Sequence, residues 1–249
     1  MTLIESYMTK NPCYTAGKTI AVKGLMLHSV GCPQPSASVF IGQWNKASYN
    51  SACVHAFIDG TSGAVYQTLP WNRRGWHCGS GSKGSGNNTH IGVEMCEPGC
   101  IKYTSGSNFV CTDAAKAKEI VRRTYEAAVE LFATLCRQFV LDPTAPGVIL
   151  SHREGYARGI ATNHGDPEHL WNQLGMGYTM DTFRKAVKEK MITKKLDNQT
   201  KSWSKDAVKW ATDNKLLVGD ASGDLLLHSP LTREQAVVLL KRYHDMVTK

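Results

Sequence analysis

Hydrophobic positions change their rhythm near Thr112. Before it they come in short blocks. Residues 22–30 form an apolar run broken only by Lys23 and Gly24 and by His28 and Ser29 near its end. A block of that length predicts a buried strand with His28 at its edge. Similar blocks at 53–58, 64–68 and 90–95, separated by Gly-, Asn- and Ser-rich stretches such as 79–88, predict further short strands joined by irregular loops. After Thr112 the apolar residues Val121, Tyr125, Ala128, Phe132, Leu135 and Phe139 recur at alternating steps of four and three. That spacing is one face of a long helix, capped by Thr112 or Asp113 and ended by Pro143 and Pro146. Val148, Ile149 and Leu150 make another short buried strand that delivers His152, and a second helix is predicted from Thr179 or Asp181 to about Met191. Strands mixed with a long helix predict an α/β domain around a central sheet.

From Arg184 to Lys195 the chain is strongly basic, and it then turns polar through Asn198, Gln199 and Thr200. We read 1–190 as the main domain, 191–202 as a linker and 203–249 as a small all-α helical domain. In that last part Ser204 can cap a helix carrying Ala207, Val208, Trp210 and Ala211, and Thr232 with Gln235 fits a capping box that starts a final helix. So short a segment is marginal as an independent core and is expected to lean on a neighbour or on another copy of itself.

Composition narrows the classes. The chain is 42% hydrophobic with a formal charge of +8 and a pI near 9.0, so a polyanionic partner is expected. No apolar run approaches the roughly 18 residues of a membrane span, and the first residues lack the apolar stretch of a secretory signal, so synthesis in the cytoplasm is expected. Eight cysteines in 249 residues fall far below the roughly 8–10% of a disulfide scaffold. We read them as free thiols at synthesis, with Cys100 and Cys111 facing each other across a hairpin.

Among nine histidines, His28 and His152 close predicted strands and Asp166 lies in the segment Asn163-His164-Gly165-Asp166-Pro167-Glu168-His169. A catalytic zinc needs three N, S or O ligands and an open fourth position. These separations lack the compactness of a zinc finger, and spacing alone leaves a core role for each residue open.

Those residues sit within motifs that resemble the zinc-dependent N-acetylmuramoyl-L-alanine amidases of the amidase-2 class, the fold shared with the peptidoglycan recognition proteins. The resemblance runs from Val22 to Trp171. Leu27-His28-Ser29 resembles the first-ligand strand, and His55 through Gly60 the second core strand. Gly75-Trp76-His77-Cys78-Gly79 is similar to the substrate-cleft Trp-His motif, and Asn88 through Ile91-Gly92-Val93-Glu94 to the strand that carries a catalytic Glu. Ser151-His152-Arg153 and Asp166-Pro167 resemble the remaining ligand segments. Two departures stand out. Many relatives carry Lys where this chain has His164, and the phage-lysozyme-like branch has a Tyr where this chain has Val54, so the Glu-using branch is the better match.

The resemblance implies a central mixed β-sheet flanked by helices. It implies Zn2+ held by His28, His152 and Asp166, with Glu94 and His164 catalytic and His77, Trp76 and Asn88 binding substrate. The implied reaction is cleavage of the amide between N-acetylmuramic acid and L-alanine in Gram-positive peptidoglycan. A non-catalytic peptidoglycan-binding protein of the same fold is the alternative, and no nucleic-acid motif appears. The segment around Asn163 looks most like phage and prophage endolysins, which implies release to the wall through a holin-type hole. Residues 203–249 resemble an S-layer homology motif, carried by Trp203, Ala207 to Ala211, Leu217 to Asp220 and Leu231 to Ala236. That implies binding to secondary cell-wall polymers or assembly into a homo-oligomer.

Overall fold

The structure is a computed structural model. It describes residues 1–197, 199–219 and 223–248, with only the backbone described for 193–197. The chain divides into two compact units, Met1–Lys188 and Glu189–Lys249.

The first unit is built on a mixed sheet with the order β1-β4-β3-β5-β2-β8. Its strands are β1 (Leu3–Glu5), β2 (Gly24–Ser29), β3 (Ala56–Ile58), β4 (Val65–Gln67), β5 (His90–Met95) and β8 (Ile149–Ser151). Only the β3–β4 pair is antiparallel. β2 and β5 are buried along their whole length, as strands covered on both faces must be, and this is why they read as continuous apolar runs. Outside this sheet β6 (Ile101–Ser105) and β7 (Asn108–Cys111) form a separate antiparallel hairpin.

Register decides where chemistry can happen. Pairing aligns His28 with Glu94 and Leu27 with Ser151, so the last residues of three parallel strands gather at one edge. The carboxyl ends of parallel strands are the usual place for a site in such a sheet.

Short helices α1 (Pro12–Thr15) and α2 (Ala37–Trp44) lie between the early strands. From α2, Phe40 stacks on Phe57 of β3 at 5.2 Å, in a cluster with Ala37, Val54 and Cys96. Cys96 therefore packs in an apolar core. The long helix α3 (Ala114–Gln138) is capped by Asp113, whose side chain accepts from Lys116 N. Its apolar face includes Val121, Tyr125, Ala128, Phe132 and Leu135, all buried. It ends before the two prolines. Val140 takes φ 54°, while Leu141 N donates to Cys136 O and Val140 N to Arg137 O, a Schellman stop that usually uses Gly.

α4 (His152–Ala157), α5 (Glu168–Gln173) and α6 (Met180–Asp197) complete this part of the chain. Phe183 of α6 meets Tyr125 and Phe132 of α3 edge-on. α6 continues to Asp197, so 191–197, read from sequence as linker, is helical. Part of the basic run is spent inside the fold: Arg184 forks onto both oxygens of Glu154 at 2.9 Å, and Lys188 pairs with Asp142 at 3.0 Å.

In the second unit, α7 (Lys205–Asp213) and α8 (Arg233–Val247) are helical. The Thr232–Gln235 capping box is formed in both directions. Asp220, part of the motif quoted above, lies outside the described residues. Trp203 is 83% exposed, and Val237, Leu240 and Tyr243 of α8 are also exposed.

Candidate active site

His28, His152 and Asp166 converge at the sheet edge, each buried. His152 is not the last residue of β8 but the first of α4, a position fixed by its cap. Ser151 and Glu154 form a reciprocal capping box, Arg184 holds Glu154, and Ser151 Oγ donates to Glu168 Oε1 at 2.9 Å. This last bond ties the His152 segment to the chain just after Asp166.

The hydrogen-bond network selects the tautomers. A carbonyl can only accept, so His77 donates from Nε2 to His90 O at 3.1 Å. Its Nδ1 is therefore bare and accepts from His28 Nε2 at 3.0 Å. Likewise Thr162 Oγ1 donates to Cys78 O at 3.3 Å and so accepts from His152 Nε2, also at 3.3 Å. Both imidazoles are left with a lone pair on Nδ1.

Those lone pairs face one another and a carboxylate. His28 Nδ1 lies 3.1 Å from His152 Nδ1 and 3.3 Å from Asp166 Oδ2, and His152 Nδ1 lies 3.5 Å from Asp166 Oδ1. A tetrahedral site with bonds of about 2.0–2.2 Å spaces its donors about 3.3–3.6 Å apart. The trio thus fits a small divalent cation in both spacing and donor chemistry. Burial pushes the His152 imidazolium down to about 3. Burial works to raise Asp166, but its closeness to the His28 and His152 rings outweighs it and holds the carboxyl below its ordinary value. Neutral imidazole and ionised carboxylate are the forms that bind metal.

Beside the trio a cleft of about 990 Å³ opens, lined by Glu94, Trp76, Tyr103, His164 and the tip of the β6–β7 hairpin among others. Glu94 is 9% exposed, and its Oε2 is buried without a hydrogen-bond partner. Burial, followed by the charges of Asp166 and Glu97, raises its carboxyl well above the usual range. His164 also lines the cleft, with its Nδ1 3.2 Å from Thr162 Oγ1. Trp76 is 38% exposed.

Of the other residues implied as substrate contacts, His77 lines the cleft, with both ring nitrogens engaged within the protein, one of them on His28. Its ring lies flat against Gly92, where a Cβ would come within 2.3 Å of His77 Cγ. Asn88 is exposed, does not border the cleft, and accepts from Arg74 Nε at 2.7 Å. Its neighbour Asn87, fully buried, holds the cleft loop by accepting from His77 N and Cys78 N at 2.7 and 3.2 Å. His55 sits in the core with Nε2 on Arg73 O.

Sequence reasoning missed a hydrogen-bonded trio in which Tyr103 and His169 line the cleft and Glu97 lies beneath them. Glu97, fully buried, accepts from Gly31 N at 2.9 Å and from Tyr103 Oη at 2.7 Å. Tyr103 in turn lies 2.6 Å from His169 Nε2. Burial pushes Glu97 up to about 7. Only the hairpin's tertiary placement brings Tyr103 there. All eight cysteines are free thiols.

A mixed sheet with a His-His-Asp cluster and a buried carboxylate at the carboxyl ends of its parallel strands defines an α/β protein with a candidate metal site. Comparison identifies which one: the family described as Amidase_2, N-acetylmuramoyl-L-alanine amidase, matches residues 18–169. The chain belongs to this family. It is 52% identical over 105 residues to the N-acetylmuramoyl-L-alanine amidase CwlH of Bacillus subtilis (strain 168), a stretch covering 42% of this chain and 39% of that protein. It is 38% identical over 99 residues to CwlA of a Bacillus species, covering 40% and 33%. These matches span well under half the length of either relative.

Among solved structures, the Staphylococcus aureus hydrolase AmiA in complex with its ligand is similar with a TM-score of 0.57 and 21% identity, covering 78% of this chain and 85% of that one. The PlyG catalytic domain is similar at 0.53 with 18% identity, covering 77% and 96%. Both share the fold.

Proposed function

We propose that the chain is a zinc-dependent N-acetylmuramoyl-L-alanine amidase that cleaves the amide between the lactyl group of muramic acid and L-alanine in Gram-positive peptidoglycan. The observation that carries this reading is the set of lone pairs on His28, His152 and Asp166 facing one point beside the unpartnered, buried oxygen of Glu94.

Zinc held by His28 Nδ1, His152 Nδ1 and the Asp166 carboxylate would supply Lewis acidity and lower the pKa of a bound water from about 15.7 to about 7. Glu94 takes the proton from the attacking water at Oε2 and returns it to the nitrogen of the leaving L-alanine. Its raised pKa suits both halves of that exchange. His164, which lines the same cleft, would donate to the oxyanion that develops on the carbonyl. With its Nδ1 proton given to Thr162, it donates from Nε2 only as the imidazolium. The sugar bond is untouched.

The second unit is proposed to bind secondary cell-wall polymers or to assemble the protein into a homo-oligomer. Its helix, Gly loop and Thr-Arg-Glu helix order supports this, as do the exposed apolar side chains of α8. An endolysin role, with cytoplasmic synthesis and holin-type release, is supported by the motif likeness. No described helix is long and apolar enough to cross a membrane.

Mass spectrometry of digested Gram-positive walls tests the reading. New L-alanine amino termini are expected, abolished by EDTA and restored by zinc. New reducing ends without new amino termini would overturn it. A folded, wall-binding protein that takes up no zinc would favour the non-catalytic alternative.

A further inference from the structure

Next to the cleft wall a cation stands with nothing acidic against it among the described residues. Arg74 carries its guanidinium carbon 5.5 Å from the centre of the Trp76 ring, and Trp76 is the exposed aromatic of the cleft wall. Its Nε donates to Asn88 Oδ1 at 2.7 Å. With Nε held and one face stacked, the side chain is fixed while the terminal nitrogens, the edge that grips carboxylates in a fork, have no hydrogen-bond or ion-pair partner among the described residues.

The backbone beneath it is also anchored. Arg74 N donates to Lys18 O at 2.8 Å, and Trp76 exchanges both of its backbone hydrogen bonds with Cys53, each at 2.8 Å. Residues two apart in an extended segment share a face, which explains why Arg74 and Trp76 stand side by side. The charge is felt in the cleft wall: burial pushes the Cys78 thiol up to about 11, and Arg74 acts against that rise. An arginine that served packing alone would gain from a nearby carboxylate. This one is instead pre-positioned by a neutral amide and an aromatic ring, the arrangement of a site awaiting an anion.

We propose that Arg74, stacked on Trp76 and oriented by Asn88, is a specificity subsite that binds a free carboxylate on the peptide stem of the substrate. The proposal deepens the amidase reading and rests on it for the identity of the substrate. The stem offers this chemistry in two places, the α-carboxylate of its γ-linked glutamate and its terminal carboxylate.

Calorimetric binding to the full-length Glu94→Gln protein separates these sources without requiring turnover. The probes are one soluble muropeptide with both carboxylates free, one with the glutamate amidated, one with the terminus amidated, and one with both amidated. The free form is expected to bind roughly tenfold or more tightly than the analogue lacking the recognised carboxylate, the loss expected of a charge-assisted fork. Adding Arg74→Gln should remove that preference without changing affinity for the doubly amidated form, and Arg74→Lys should fall between.

Equal binding of all four forms overturns the proposal. So does an Arg74→Gln loss that is the same for acid and amide forms, which marks a structural role, and so does the absence of any muropeptide binding. Preferential binding that Arg74 controls, in a wild-type protein that cleaves none of the probes, would sustain the subsite and refute the amidase activity.

Discussion

Replacing His77 tests whether the protein sets the metal affinity from behind the ligands. His77 Nδ1 accepts the proton on His28 Nε2, and this leaves His28 Nδ1 bare. In His77→Phe an aromatic ring is kept but the acceptor is lost. His28 is then free to carry its proton on Nδ1, where Asp166 Oδ2 stands 3.3 Å away to accept it. Metal binding must first break that hydrogen bond and move the proton.

A net hydrogen bond contributes about 0.5–1.5 kcal/mol, and leaving a buried donor or carbonyl unpaired costs about 1–3 kcal/mol. Tenfold to hundredfold weaker zinc binding is therefore expected, in line with other residues that orient metal ligands. Competition against a chromophoric chelator measures it, with thermal melting of the zinc-free protein as the control for folding. Gly92→Ala provides an independent route to the same end, because its Cβ would displace the His77 ring. A zinc Kd within twofold of wild type in a folded His77→Phe protein would refute the reasoning.

Further outcomes follow from other residues. Glu94→Gln should keep stoichiometric zinc, measured by metal analysis, while turnover of purified walls falls by a factor of about 10²–10⁴; loss of zinc together with activity would show that Glu94 acts on the metal site instead. Glu97 is raised to about 7 by burial, so between pH 4.5 and 7 the folded state holds a proton the unfolded chain has released. Its contribution to stability therefore falls as pH rises through that window, by at most about 3 kcal/mol. Denaturant unfolding of Glu97→Gln across the window should lack this decline, and parallel curves would exclude it. Val140→Gly should relieve the positive φ of an exposed β-branched residue and stabilise the protein by about 1 kcal/mol, read as a raised melting temperature; an unchanged or lower one would count against strain at that stop.

The sequence alone determined the elements whose burial is complete. β2, β5 and α3 carry their environment in their periodicity, because a strand covered on both faces is apolar throughout and a helix with one buried face repeats at threes and fours. The Thr232 capping box was equally legible, since its two bonds join residues three apart. β1 and α2 were not legible: β1 is a three-residue exposed strand and α2 only two turns long, too short for a period to register. The stop of α3 was misplaced because Val140 adopts a conformation that the prolines further on do not dictate.

At the candidate site the residue types were visible through resemblance, but their division of labour was not. Whether His77 meets substrate or steadies His28 depends on a carbonyl at His90, and whether Asn87 or Asn88 holds the cleft loop depends on which one the turn buries. The Glu97, Tyr103 and His169 cluster exists only because the hairpin packs beside α5. Hydrogen bonds between residues distant in the chain leave no periodic trace in sequence, so tertiary structure alone decides which nitrogen carries the proton and which lone pair is free for a metal.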